Sequence, residues 1–264
     1  MVEPHCASAP LPSSLLEGVE DRVCSLLGIA NLRHRSGLHS LQIGDEVDLA
    51  QVVYSTIAQN WAAAHAGANK DRSRQNWRWV LQSHIGANNS SPEVVLERAI
   101  AFACKEAGVT NWANQIPVAS GLIKGAADGR RAIDLVQRRS DGAYELIELK
   151  IASDTPLYAA VELLGYACLW LLARCDPPAH EPDLLNADCV DLRVLAPKAY
   201  YAPFDLAALE QSVDHGVRSL GAQFGVRMSF GYDVLPDSLA SSPLPSGSVL
   251  LGALAMRVPL NGHA

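Results

Sequence analysis

The chain has 264 residues, 49% of them hydrophobic and 19% charged, which excludes a disordered polymer and allows one large domain or two small ones. Its net charge of −7 excludes a global electrostatic pull toward nucleic acid, so such a partner must be met by a local basic patch. Six cysteines without a CxxC pair exclude a cysteine-rich zinc module and read as reduced thiols. No N-terminal segment joins basic residues to a long apolar run, so a cytoplasmic location is expected. The longest apolar run, Ala159 to Ala173, contains Glu162 and is too short and too polar for a membrane span.

Residues 1–13 carry Pro and Ser and are expected to be a disordered tail. From Ser14, Leu15, Val19, Val23 and Leu26 recur at helical spacing, with Ser13 or Ser14 as N-cap. A polar stretch from His34 to Gly44 precedes a second helix from about Asp48 to Ala66. Lys70, Arg72, Arg74 and Arg78 then interleave with Trp77 and Trp79. The GANNSSP loop closes this helical N-terminal region, 14–90.

The core is expected over 91–236. Ser91, Pro92 and Glu93 are cap, first-turn proline and first-turn acid of a helix that ends at Gly108. A strand centred on Gln115 to Val118 follows, then a turn at GAADGR. Arg130 to Ile151 reads as two apolar strands joined by Ser140-Asp141-Gly142, a hairpin turn. Asp154 or Thr155 caps a long apolar helix. The order closes with a buried strand over CVDLRVLAP, a helix and a last strand. Helix, three strands, helix, strand, helix, strand describes an α/β fold: a mixed sheet flanked by helices. The tail, 237–264, has a Ser/Pro linker and an apolar segment expected to add an edge strand.

Three charged residues stand out inside the apolar hairpin. Glu148 and Lys150 are two apart on one strand and share a face. Asp134 and Glu148 are each seven residues from Asp141, so a turn centred there sets them opposite each other. Two close carboxylates repel unless a cation intervenes. Mg²⁺, with its preference for carboxylate oxygens, waters and substrate phosphates, answers that need; the carbonyl of Leu149 is a further candidate ligand. Such an ion activates water, and Lys150 would orient or deprotonate that water or stabilise charge on phosphorus.

Asp134, a 13-residue gap, then Glu148-Leu149-Lys150, after a helix bearing Glu97, resembles the PD-(D/E)XK nuclease superfamily. The resemblance covers roughly residues 91–200 and implies a restriction-endonuclease-like αβββαβ core. It implies that Asp134 and Glu148 hold Mg²⁺, with Mn²⁺ as substitute, that Lys150 is the catalytic lysine, and that Glu97 completes the site through metal-bound water. Gln115 matches a polar residue on the first strand. Glu162 and Tyr166 stand where a Gln-x-x-x-Tyr helix signature falls, with Glu in place of the common Gln. Ile133 replaces the usual Pro before the Asp. The implied activity is phosphodiester hydrolysis, in DNA before RNA. Double-strand cleavage would call for two sites, most simply a two-fold homodimer.

Each feature has a plainer reading. Asp134, Glu148 and Lys150 make a cross-strand salt bridge on a solvated face, against which stands the lack of clean polar alternation. Glu97 has a rival in Glu93, one turn earlier on the same helical face. Lys70, Arg72, Arg74, Trp77 and Arg78 form either a nucleic-acid contact or a solvated face with core tryptophans. The alternative function is a nuclease-fold protein that binds nucleic acid or a protein partner without cutting.

Overall fold

The computed structural model describes residues 11–39, 41, 43–44, 47–86, 88–125, 128, 131–241 and 243–261. Most of the expected N-terminal tail, Cys6 and most of the expected GAADGR turn lie outside the described residues. Among those described, α1 (Val19–Leu27), α2 (Arg35–His39) and α3 (Leu49–Ala63) precede α4 (Pro92–Glu106), β1 (Trp112–Pro117), β2 (Ala132–Ser140) and β3 (Ala143–Leu149). Then come α5 (Pro156–Cys175), β4 (Cys189–Pro197), α6 (Lys198–Tyr201), α7 (Ala207–Gln223), β5 (Arg227–Leu235), α8 (Asp237–Ala240), α9 (Gly247–Ala255) and β6 (Val258–Pro259).

The six strands form one open mixed sheet in the order β1-β2-β3-β4-β5-β6. β1, β2 and β3 are antiparallel; β3, β4 and β5 are parallel; β6 returns antiparallel. The β2–β3 hairpin turns at Asp141-Gly142, where Gly142 has φ 71°, a conformation glycine adopts without a Cβ clash. Its register pairs Leu135 with Ile147 and Val136 with Leu146, so Asp134 and Glu148 are the next two residues facing across it.

Helices cover both faces. α5 is capped by Thr155, whose hydroxyl accepts from the Tyr158 amide, and starts with Pro156. Against the expectation for Ala159 to Ala173, the whole helix of 20 residues is long and apolar enough to cross a membrane by length and composition alone, and most of its length is buried against α3 and the sheet. α4 is capped by Ser91 and packs with α9 over Leu135, Ile147 and Leu149 on the other face. Leu15, Val23, Leu49, Val53 and Ile57 of the N-terminal region belong to the same core cluster as the α5 face of the sheet.

Four local expectations are corrected. α1 starts at Val19, and Ser14 caps nothing: its hydroxyl and the Leu15 amide both bond the carboxylate of Asp128. The polar stretch after α1 contains the short helix α2. Trp77 is 2% exposed with φ 62°, and its amide donates to the Pro117 carbonyl. Its ring therefore packs into the core and is not free to stack on a base. The tail does add an edge strand, but only as Val258–Pro259 of β6, while most of its apolar run is helical: Leu and Ala favour helix, and α9 buries Leu250 and Leu254 against α4. The described cysteines are free thiols.

Candidate active site

The cleft lies at the end of the sheet where β1 and β3 finish and β2 begins. It holds about 520 Å³. Asp134, Glu148, Leu149, Lys150, Gln115, Glu162 and Tyr166 all line it. Glu97 sits behind Gln115, 2% exposed.

Glu148 and Lys150 project from the end of β3 onto the α5 face, both buried. The Lys150 ammonium donates to Glu148 Oε1 at 2.7 Å and to Glu162 Oε2 at 3.1 Å. Glu162 Oε1 in turn accepts from the Tyr166 hydroxyl at 3.1 Å and from Arg131 at 3.5 Å. The Glu162 position, uncertain in role from sequence, thus anchors the lysine. The other oxygen of Glu148, Oε2, is buried with no hydrogen-bond partner among the described residues.

Asp134 is held from two sides. Its Oδ2 accepts from the Leu149 amide at 3.0 Å, and its Oδ1 from the Gln115 side chain at 3.4 Å. The same Gln115 amide nitrogen donates to Glu97 Oε2 at 3.1 Å. Gln115 has φ 49°, an uncommon conformation for a non-glycine strand residue. That backbone twist sets its side chain between the α4 carboxylate and the β2 carboxylate. Asn114 completes the link, donating to Glu97 Oε1 at 2.9 Å.

Glu97 rather than its rival Glu93 therefore joins this network. Glu93 borders the cleft, but its Oε1 accepts from the amides of Ile151, Ala152 and Ser153 and from the Ser153 hydroxyl, at 3.0 to 3.3 Å. It fixes the loop that follows Lys150.

Electrostatics separate these acids. Burial pushes Glu97 up to about 8, with the Asp134 charge adding to it and the Asn114 and Gln115 amides opposing it. Burial lifts Asp134 to about 6 against the pull of Lys150 and the Leu149 amide. Glu148 is raised well above the carboxylate range by burial, then by the charges of Asp134 and Glu162. Burial would also raise Glu162, but Lys150 holds it low. Burial opposes the Lys150 charge; Glu148 and Glu162 outweigh that and keep it an ammonium.

Among the described residues no group of three His, Cys, Asp or Glu side chains converges as a metal cage. Asp134 and Glu148 do face one cleft, and Glu148 Oε2 is an unspent donor. Such a pair fits a hard cation of the Mg²⁺ type, which takes one or two carboxylates and completes its shell with water and substrate oxygens.

The basic segment stands apart from this centre. Lys70 pairs with Asp176, Arg72, Arg74 and Arg78 are exposed, and none of these residues, nor Trp77, lines the cleft. Cleft residues that the sequence did not mark include Arg33, Arg131 and Tyr158. Close by, the Tyr200 hydroxyl is buried without a partner among the described residues. Burial raises it, against the pull of the Lys150 charge. Only the position of Arg131, three residues before Asp134 at the mouth of a strand, was a usable signal. No family model, no curated protein and no solved structure matches the chain.

Proposed function

We propose that the protein is a metal-dependent nuclease with a restriction-endonuclease-like core, hydrolysing phosphodiester bonds, in DNA before RNA. The observation that carries this reading is the buried Glu148 Oε2, which has no hydrogen-bond partner among the described residues, beside Asp134 in an open cleft. A buried carboxylate oxygen without a partner is costly, and a divalent cation at that point removes the cost.

In this reading Asp134 and Glu148 hold Mg²⁺, or Mn²⁺ in its place. The bound ion would polarise a phosphoryl oxygen and lower the pKa of a coordinated water. Gln115 and the Leu149 amide fix the orientation of Asp134. Glu148 and Glu162 fix the Lys150 ammonium and keep it protonated, which suits it to stabilise charge on the phosphorus oxygens rather than to act as base. Glu97, raised to about 8 and away from the cation, is suited to hold a proton near neutral pH, whereas the raised Glu148 would give its proton up to a bound cation.

The test is cleavage of a panel of DNA and RNA substrates with Mg²⁺, with Mn²⁺ and with EDTA. Metal-dependent cleavage lost in Asp134→Ala and in Lys150→Ala is the expected result. Cleavage that survives both substitutions overturns the site.

A further inference from the structure

The cleft contains an electrostatic conflict. Five carboxylates line it, from Glu93, Asp134, Glu148, Asp154 and Glu162, against three cations, Arg33, Arg131 and Lys150. Lys150 is already held by two of the acids. A nucleic-acid strand is a polyanion, and most of its affinity for a protein comes from cationic side chains on its phosphates. Within the described lining, that leaves Arg33 and Arg131.

Both arginines suit the task by exposure and by anchoring. Their side chains are 41% and 38% exposed, so their guanidinium groups reach solvent. Arg131 precedes β2 and leans on Glu162 Oε1 at 3.5 Å. Arg33 comes from the N-terminal region. Its guanidinium carbon lies over the Tyr158 ring, 3.6 Å from the centroid, and the group bonds the Tyr158 hydroxyl. Its remaining partners are Asp154 Oδ1 at 3.0 Å and Glu20 Oε1 at 3.3 Å. The backbone beneath it is pinned, because the buried Thr155 hydroxyl that caps α5 donates to the Leu32 carbonyl. A half-exposed arginine between a half-exposed Glu20 and a partly exposed Asp154 gains little from pairs that solvent reaches and can turn its planar fork onto a phosphate.

We propose that Arg33 and Arg131 form a two-guanidinium clamp for the backbone phosphates of a nucleic-acid strand laid across Asp134, Glu148 and Lys150. The clamp rests on the reading of this cleft as a nuclease site. It makes the N-terminal region part of the substrate-binding surface. Asp154 becomes its latch: the acid that holds Arg33 while the cleft is empty and loses it to a phosphate.

Equilibrium binding separates the clamp from the chemistry. A fluorescently labelled DNA strand and its RNA counterpart are titrated by anisotropy in Ca²⁺ buffer over a range of salt, without turnover. Arg33→Gln and Arg131→Gln are each expected to weaken binding about tenfold at low salt. Each should also flatten the plot of log affinity against log salt by about 0.7, the loss of one phosphate contact on a single strand. Arg33→Lys, which keeps the charge and guards against a folding artefact, should keep most of the salt slope. Asp154→Asn should tighten binding. Arg218→Gln, on α7 and outside the cleft lining, should change nothing. Unchanged affinity and slope in both Gln variants, or no binding by the wild type, overturns the clamp. If those variants bind normally while the wild type cleaves, the clamp falls and the nuclease reading stands. If both arginines carry binding but no metal supports cleavage, the clamp stands and the nuclease reading falls.

Discussion

Two buried charge clusters sit on opposite faces of the same strand, and they are built on opposite rules. Glu145 and Glu148 are three residues apart on β3 and point to opposite faces. Glu145 is paired on both oxygens: Arg139 at 2.9 Å on one and Arg257 on the other. Arg257 also reaches Asp233 at 3.6 Å and Gln137 at 2.9 Å. Guanidinium groups match carboxylates there, and the cluster staples the C-terminal tail to the sheet. On the α5 face, Glu148 shares one lysine with Glu162, leaves an oxygen unpartnered and faces Asp134. The first arrangement gives each acid it buries a guanidinium partner. The second buries an excess of negative charge, which a fold retains at a cost unless a cation or substrate completes it. Excess, not burial, marks the candidate site.

The sharpest way to break this contrast is to damage each cluster and read both activity and stability. Asp134→Asn and Lys150→Ala should each reduce cleavage by about 10²- to 10⁴-fold. Asp134→Asn should not lower the stability much, since it relieves repulsion, whereas Lys150→Ala strands the buried Glu148 and Glu162 and its cleavage is read per folded molecule. Arg257→Ala should do the reverse of Asp134→Asn. It strands the buried Glu145 and Asp233 and should cost about 3–5 kcal/mol of stability in a denaturant titration, with turnover per folded molecule unchanged. A destabilised Asp134→Asn beside an intact Arg257→Ala would invert the assignment.

The hairpin was legible because a symmetric turn fixes a register. Counting seven residues each way from Asp141 set Asp134 against Glu148, and the observed pairing of Leu135 with Ile147 places them so. The capped helices α4 and α5 were legible for a similar reason: Ser91-Pro92 and Thr155-Pro156 are local signals. Other features were carried by tertiary structure. No sequence pattern states that Gln115 takes a positive φ and bridges two carboxylates. Arg33 reaches the cleft only because Thr155 ties its loop to α5, 123 residues along the chain. The apolar run in the tail was ambiguous in period, and packing against α4 decided for helix. Trp77 sits in a basic, polar stretch, and its burial comes from its bond to the end of β1.

A smaller effect sharpens the contrast from the metal side. A cation that completes the α5-face cluster must stabilise the fold by mass action, by about 2.7 kcal/mol when its concentration is a hundred times its dissociation constant. Mn²⁺ titrated against the melting temperature should raise it in the wild type and in Arg139→Gln, and leave Asp134→Asn unmoved. A shift that persists in Asp134→Asn places the ion elsewhere.

The smallest effect separates two acids one helical turn apart, and its sign is the test. Burial would raise Glu93, but the amides of Ile151 and Ala152 and the Ser153 hydroxyl outweigh it and hold it at about 2. Its contribution is therefore present above pH 4.5 and is lost as pH falls from there toward 2. Because the group is partly exposed, solvent screening limits it to about 1–2 kcal/mol. Glu97, raised to about 8, has the opposite slope: the unfolded chain releases its proton near pH 4.5 while the folded chain keeps it, so stability drains away as pH rises from 4.5 through 8. Stability measured by urea titration across pH 3 to 9 should show both slopes in the wild type. Glu93→Gln should lose the acid-side fall and be weaker throughout the neutral range. Glu97→Gln should lose its own share of the alkaline-side fall, leaving that of Asp134 and Glu148, and gain on the wild type above pH 8. If Glu97→Gln leaves the alkaline slope unchanged, Glu97 is already ionised at neutral pH. It then belongs with the satisfied acids of the fold, and the excess charge of the cleft is confined to Asp134 and Glu148.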